Sequence, residues 1–214
     1  MVKIQSHIRS DRQIPVYWEV AENEKFEVSG GKAMRDCDIQ FIKQIKNSED
    51  LCDYLSCECG VYFAEDDILC DDLKSLIVCS ECNYDMEPFA CDGSGGVFVL
   101  LNQSLIGYLD SEGQAGIIAN NIKDFFSIIL NCGYVSDWAK FDWLADENTF
   151  IKAYDELELP RDKACVKLFV EENDLESEPV KIYYIFKKAV STQPQLTIKA
   201  ISDDYVDYEQ LFDL

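Results

Sequence analysis

One histidine stands in the whole chain, His7. A Ser–His or Cys–His nucleophile would have to be built on it. It lies in a polar N-terminal segment, where a solvated imidazole is the simpler reading. Positive charge is scarce as well: 19 Lys and Arg face 41 Asp and Glu, for a formal charge of −22. A binder of nucleic-acid backbone needs clustered cations, so that class is excluded. No apolar run reaches the length of about 18 residues that a membrane span requires. The opening MVKIQSHIRSDRQIP is polar and has no apolar signal core, so a cytoplasmic location is expected. No fixed-period repeat and no low-complexity linker interrupts the chain.

What is present is acid, cysteine and a good supply of apolar residues. Hydrophobic residues make up 48% and aromatics 12%, enough for a substantial core. The acids are unevenly placed. Residues 51–100 hold eleven acids and one base, Lys74, whereas residues 1–50 hold nine acids against eight bases. Such a field suits a basic protein partner. Solubility alone also accounts for it.

Ten cysteines are spread from Cys37 to Cys165. Several sit in apolar patterns, such as Cys79 in SLIVC and Cys132 in FFSIILNC. They read as small buried hydrophobes in a reducing compartment. The chemical alternative is zinc held by Cys57, Cys59, Cys79 and Cys82, with Cys70 between them. The first pair is CxC rather than CxxC and ends a helical pattern. Neither metal nor cofactor is therefore expected.

Glycine is rare but concentrated: six of the ten fall between Phe89 and Gly116. GSGG at 93–96 is not GxGxxG, and a strand pattern follows it instead of a helix. A phosphate cradle needs the helix N-terminus. SGGKAM at 29–34 likewise lacks P-loop spacing. The glycines Gly93, Gly95, Gly96, Gly107, Gly113 and Gly116 are therefore expected to be structural, shaping turns and close approaches.

Periodicity places the elements. IPVYWEV and KFEVSGG read as short strands in a strand-rich extension over 1–35. DCDIQFIKQIKN, with Asp38 as its cap, and SEDLCDYL read as helices. EDDILCDDLKSLIVC reads as another, with Ile68, Leu69, Leu73, Leu76 and Ile77 on one face. MEPFAC, GGVFVLL and SLIGYL read as strands, the last two joined at Asn102-Gln103. NIKDFFSIILNC is an amphipathic helix capped by Asn120 or Asn121 and closed by Gly133. WAKFDWLAD, TFIKAYDEL, ACVKLFVEE and VKIYYIFKKAV follow as helices, punctuated by Pro160, Pro179 and Pro194. LTIKAIS is a late strand, and YEQLFDL docks back on the core. The order predicts an α+β fold over 36–214: a single domain with a twisted, mainly antiparallel central sheet flanked by helices.

PFACDGSGGVFVLL followed by IGYLDSEGQAGIIANNIKDFFSIILNC resembles the SUKH superfamily of bacterial immunity proteins, with its Syd-like and fungal cell-wall-regulator relatives. The resemblance rests on a strand running into Asp92-Gly93-Ser94-Gly95-Gly96, on Ile106-Gly107-Tyr108, on Ser111-Glu112-Gly113 and Ala115-Gly116, and on the helix with Phe125-Phe126. It covers residues 86–140 well and the rest loosely. It implies an α+β fold, no catalysis, and an antidote that binds and blocks a toxin, often a nuclease. An intracellular regulatory scaffold, like the fungal relatives, is the alternative. For a basic toxin domain, the expected contact is the densest acidic cluster: Glu65, Asp66, Asp67, Asp71 and Asp72. Asp203, Asp204 and Asp207 are next. Neither nucleic acid nor membrane is expected as a partner.

Overall fold

The computed structural model describes residues 35–63, 80–140, 144–201 and 206–212. The strand-rich extension expected over 1–35, except its last residue, lies outside them. So does the whole of the helix expected over EDDILCDDLKSLIVC.

The described residues begin with two helices, α1 (Asp36–Lys46) and α2 (Glu49–Cys59). Ile42, Ile45, Leu51 and Leu55 face inward, as a spacing of three and four requires. Asp38 is not the cap of α1. Arg35 holds that position, and the helix starts two residues before Asp38. Asp38 instead turns inward from the first turn, 3% exposed. Its carboxylate takes the Arg35 Nε at 2.8 Å and Nη2 at 3.2 Å. A buried acid needs such a partner.

Strands follow: β1 (Ser80–Cys82), β2 (Met86–Cys91), β3 (Val97–Leu101), β4 (Leu105–Leu109) and β5 (Gln114–Ala119). Then come α3 (Ile122–Cys132), α4 (Val135–Lys140), α5 (Glu147–Glu156), α6 (Ala164–Asn173) and α7 (Pro179–Val190), with β6 (Ile198–Ala200) and β7 (Glu209–Gln210) last. The main sheet has the order β2-β3-β4-β5-β7. Its pairs are antiparallel except β5 with β7, which is parallel. β1 and β6 form a separate antiparallel pair. The fold is α+β with mainly antiparallel sheets.

Three strands differ from the sequence expectation, one of them β7, within the segment expected only to dock on the core. Ser80–Cys82 is strand β1, paired with Ile198–Ala200. QAGIIA forms β5, an interior strand buried from Ala115 to Ala119. The turn Asn102-Gln103 does join β3 and β4. Both residues have positive φ, and the Ser104 N–H returns to the Leu101 carbonyl at 3.1 Å.

Alternation gives the sheet two apolar faces. Phe98, Leu100, Ile106, Tyr108 and Ile118 join the large core with the helices. Val99, Leu101, Leu109, Ala115 and Ile117 form a smaller core with Leu196 and Ile198. A bulge in β5 opposite Ile106 and Gly107 turns both Ile118 and Ala119 toward the helices. The C-terminal segment docks alongside: the Leu211 N–H donates to the Ala115 carbonyl at 2.9 Å. Phe212 packs against Phe186 with ring centres 5.4 Å apart.

Helix α3 is the spine of the large core, with nine buried residues. Asn121 caps its start, accepting from the Asp124 N–H at 2.9 Å. Its end is buried, so the last four carbonyls need partners other than water. Ile129 O takes the Gly133 N–H at 2.9 Å and the Cys59 thiol at 3.3 Å. Leu130 O takes the Tyr54 hydroxyl, Asn131 O the Arg161 Nε, and Cys132 O the Trp138 Nε1. Arg161 also donates Nη2 to Tyr154 O at 3.0 Å and lies 4.0 Å over the Tyr154 ring. One guanidinium thus serves the C-terminal ends of α3 and α5, where a cation suits both helix dipoles.

Candidate functional site

The residues expected to meet a partner, Glu65, Asp66, Asp67, Asp71 and Asp72, lie outside the described residues. So do Asp203 and Asp204 of the second cluster. Its third member, Asp207, accepts from the Ala200 N–H at 2.8 Å and so tethers the C-terminal segment.

The glycine-rich stretch forms two hairpin loops at one end of the sheet. Residues 92–96 join β2 to β3, and residues 110–114 join β4 to β5. Asp92 Oδ1 accepts from the N–H groups of Ser94 at 2.8 Å and Gly96 at 2.7 Å. Asp110 Oδ1 accepts from those of Glu112 at 3.0 Å and Gln114 at 2.7 Å. In each loop the Asp N–H also reaches the carbonyl four residues on. In each the fourth residue is a glycine with positive φ, Gly95 at 97° and Gly113 at 90°. These are Asx-type turns, in which a short carboxylate takes the place of a backbone acceptor.

Asp92 goes further. It also accepts from the Ser94 hydroxyl at 2.9 Å and from the Tyr108 hydroxyl. Burial works against its charge, but Tyr108 and the Gly96 and Ser94 donors outweigh burial and hold the carboxyl below its ordinary range. Burial, and then Asp92 itself, push the Tyr108 phenol up. Gly96 lies against this pair: a Cβ there would meet Asp92 Oδ2 and Tyr108 Oη at 2.6 Å. Gly93 lies under the Tyr62 ring, Gly107 between Val99 and Leu101, and Gly116 against Leu211. The sequence singles out the glycines for a structural role and gives Asp92 and Tyr108 only as part of the resemblance; Asp110 has no expected role there. Their signal was the repeat of D-x-x-G-x directly after two apolar strands.

The cysteines are less buried than their apolar settings suggest. Cys59 and Cys132 are buried; Cys37 and Cys57 are exposed; Cys52, Cys82, Cys91 and Cys165 are intermediate. Helix phase explains the difference, since Cys57 and Cys59 are two residues apart and point to different faces. Burial pushes both the Cys59 and Cys132 thiols up. A zinc ligand must be a thiolate, and Cys59 instead donates to Ile129 O. Cys79 lies outside the described residues. Among those described, no group of three metal-ligating side chains converges.

Beyond Cys59 the chain turns at Gly60, with φ at 64°, and leaves two tyrosines at the surface. Tyr62 is 42% exposed and Tyr134 39%. The Tyr134 hydroxyl donates to Cys57 O at 2.9 Å. Tyr62 exchanges backbone hydrogen bonds with Cys91 at 2.8 and 2.9 Å. No helix among the described residues is long and apolar enough to cross a membrane. Comparison with protein-family models, with curated proteins and with solved structures finds no match to this chain.

Proposed function

We propose that this chain is a cytoplasmic, non-catalytic immunity protein of the SUKH kind, which binds and neutralises a basic toxin domain, such as a nuclease. The observation that carries the reading is charge: 41 acids against 19 bases. A nuclease presents a cationic groove to its substrate, and an acidic protein can occupy that groove in place of phosphate.

The geometry supports the same reading. The stretch that carries the resemblance, 86–140, forms a strand meander running into the core helix α3 and the short α4. Its conspicuous polar groups, Asp92, Asp110 and Asn121, are engaged in closing turns and capping that helix. The acidic surface is then what the molecule offers a partner.

The test is co-expression with the product of the reading frame adjacent to its gene. We expect restored growth and a stable complex. We also expect an association rate that falls as salt rises, because the Debye length is about 8 Å at physiological ionic strength. Absence of both complex and protection would reject the immunity reading. A gene with no toxin beside it would favour the regulatory scaffold.

A further inference from the structure

The two exposed tyrosines are held in place by the fold. A Cβ at Gly60 would come within 2.5 Å of the Tyr134 ring, so the ring lies directly on bare backbone. Tyr62, two residues on, rests on Gly93 in ordinary van der Waals contact, 3.4 Å from where a Cβ would be. The Tyr134 hydroxyl is tied to Cys57 O, and the backbone bridge to Cys91 fixes the base of Tyr62. The phenols are also electrical neighbours: burial first, and then Tyr62, raise the Tyr134 pKa. Large rings that are already immobilised lose little entropy on binding, which is why tyrosine is favoured at interfaces.

The surroundings indicate the chemistry of the partner. Glu58 follows Cys57, the residue that holds Tyr134. α2, which ends at Cys59 beside the rings, carries Asp53 one turn before Cys57 and no lysine or arginine. The chain's own Lys163 already combines an acid and an aromatic ring nearby. Its ammonium lies 3.4 Å from Glu58 and 5.2 Å over the Tyr54 ring. Glu58 holds Lys163 through Oε1; a cation from outside would share this carboxylate and meet the two exposed rings.

We propose that Tyr62 and Tyr134, with Glu58 at their edge, form a docking surface for an arginine- or lysine-bearing segment of a protein partner. The proposal takes the partner's positive charge from the immunity reading and adds the place of contact. It also differs from the expectation centred on Glu65–Asp72, because aromatic rings and not acid density would supply the anchor.

The probe is a hexa-arginine peptide, titrated into the full chain carrying ring-labelled tyrosine. We expect the Tyr62 and Tyr134 ring signals to move first. Replacing both by leucine keeps bulk and removes the aromatic face; it should weaken peptide binding about tenfold, the sum of two cation–aromatic contacts. Replacing both by phenylalanine keeps the face, so affinity should stay within about twofold. Thermal melting of both variants separates loss of contact from loss of fold. Unchanged affinity in a folded leucine pair, or movement confined to other tyrosines, overturns the proposal. With the adjacent gene product as ligand, a leucine pair that still binds and protects overturns the proposal and leaves the immunity reading intact. A product that does not bind, beside a peptide that does so through these rings, rejects that reading and keeps the surface.

Discussion

The loops 92–96 and 110–114 close neighbouring hairpins with the same backbone hydrogen bonds, and they lie side by side: a Cβ at Gly95 would be 3.7 Å from that of Ser111. Yet they carry different loads. Asp110 takes two N–H groups and serves its own loop. Asp92 takes two N–H groups and two hydroxyls, and through Tyr108 it joins its loop to the large core. The local code D-x-x-G-x is shared. What is built on it depends on whether a core side chain reaches back to the carboxylate.

Substitutions can test that difference. The largest effect is expected at Gly96, where Gly96→Val would drive a side chain into Asp92 and Tyr108. It should cost about 3 kcal/mol or more in chemical denaturation. Gly113 has open space around it. Gly113→Ala should cost only the positive-φ strain, about 1 kcal/mol. Equal losses at the two sites would deny the loops their different roles. Next come the carboxylates. Asp92→Ala leaves the Tyr108 hydroxyl without its acceptor and should cost about 2–3 kcal/mol, against about 1 for Asp110→Ala.

A smaller effect follows from protons. The Asp92 carboxyl sits below its ordinary range in the folded chain. The unfolded chain therefore takes up this proton first as pH falls. The contribution of Asp92 is complete above the unfolded value of about 4 and disappears as pH falls through the lower folded value. Stability curves of Asp92→Asn and the parent should converge in acid; curves that stay parallel would remove Asp92 from the acid response. The smallest effect concerns reactivity alone. A thiol reagent should label Cys37 and Cys57 in the native state, whereas Cys59 and Cys132 should react only after unfolding. Early labelling of Cys59 would contradict its place in the core.

Much of this architecture was legible in sequence. Helices with apolar residues at three and four, such as Ile122–Cys132, and the short apolar runs between turn signals over 86–109 declare themselves. Strand β5 did not. Three of the five residues in its AGIIA core are Ala or Gly, which carry little strand signal, and Gly113 and Gly116 read as an exit from the sheet. β1 was hidden differently: three residues, Ser80–Cys82, pair with Ile198–Ala200 across a long stretch of chain, which no local pattern encodes. The cap of α1 was misplaced because Asp38 is a cap-type residue, and its inward turn toward Arg35 shows only in three dimensions. The tyrosine surface was invisible for a similar reason. Nothing in the spacing of Tyr62 and Tyr134 brings them together; the positive-φ turn at Gly60 does.

The buried end of helix α3 has a consequence for synthesis on the ribosome. Tyr54 and Cys59 are made before the helix, but Trp138 is made after it and Arg161 later still. Until Arg161 has emerged, the Asn131 carbonyl lacks the partner it has in the folded chain. The nascent chain can collapse around the hairpins and α3 early, but it cannot seal that end. Chains arrested before residue 161 should therefore remain open to proteases near α3, and chains arrested well beyond it should not.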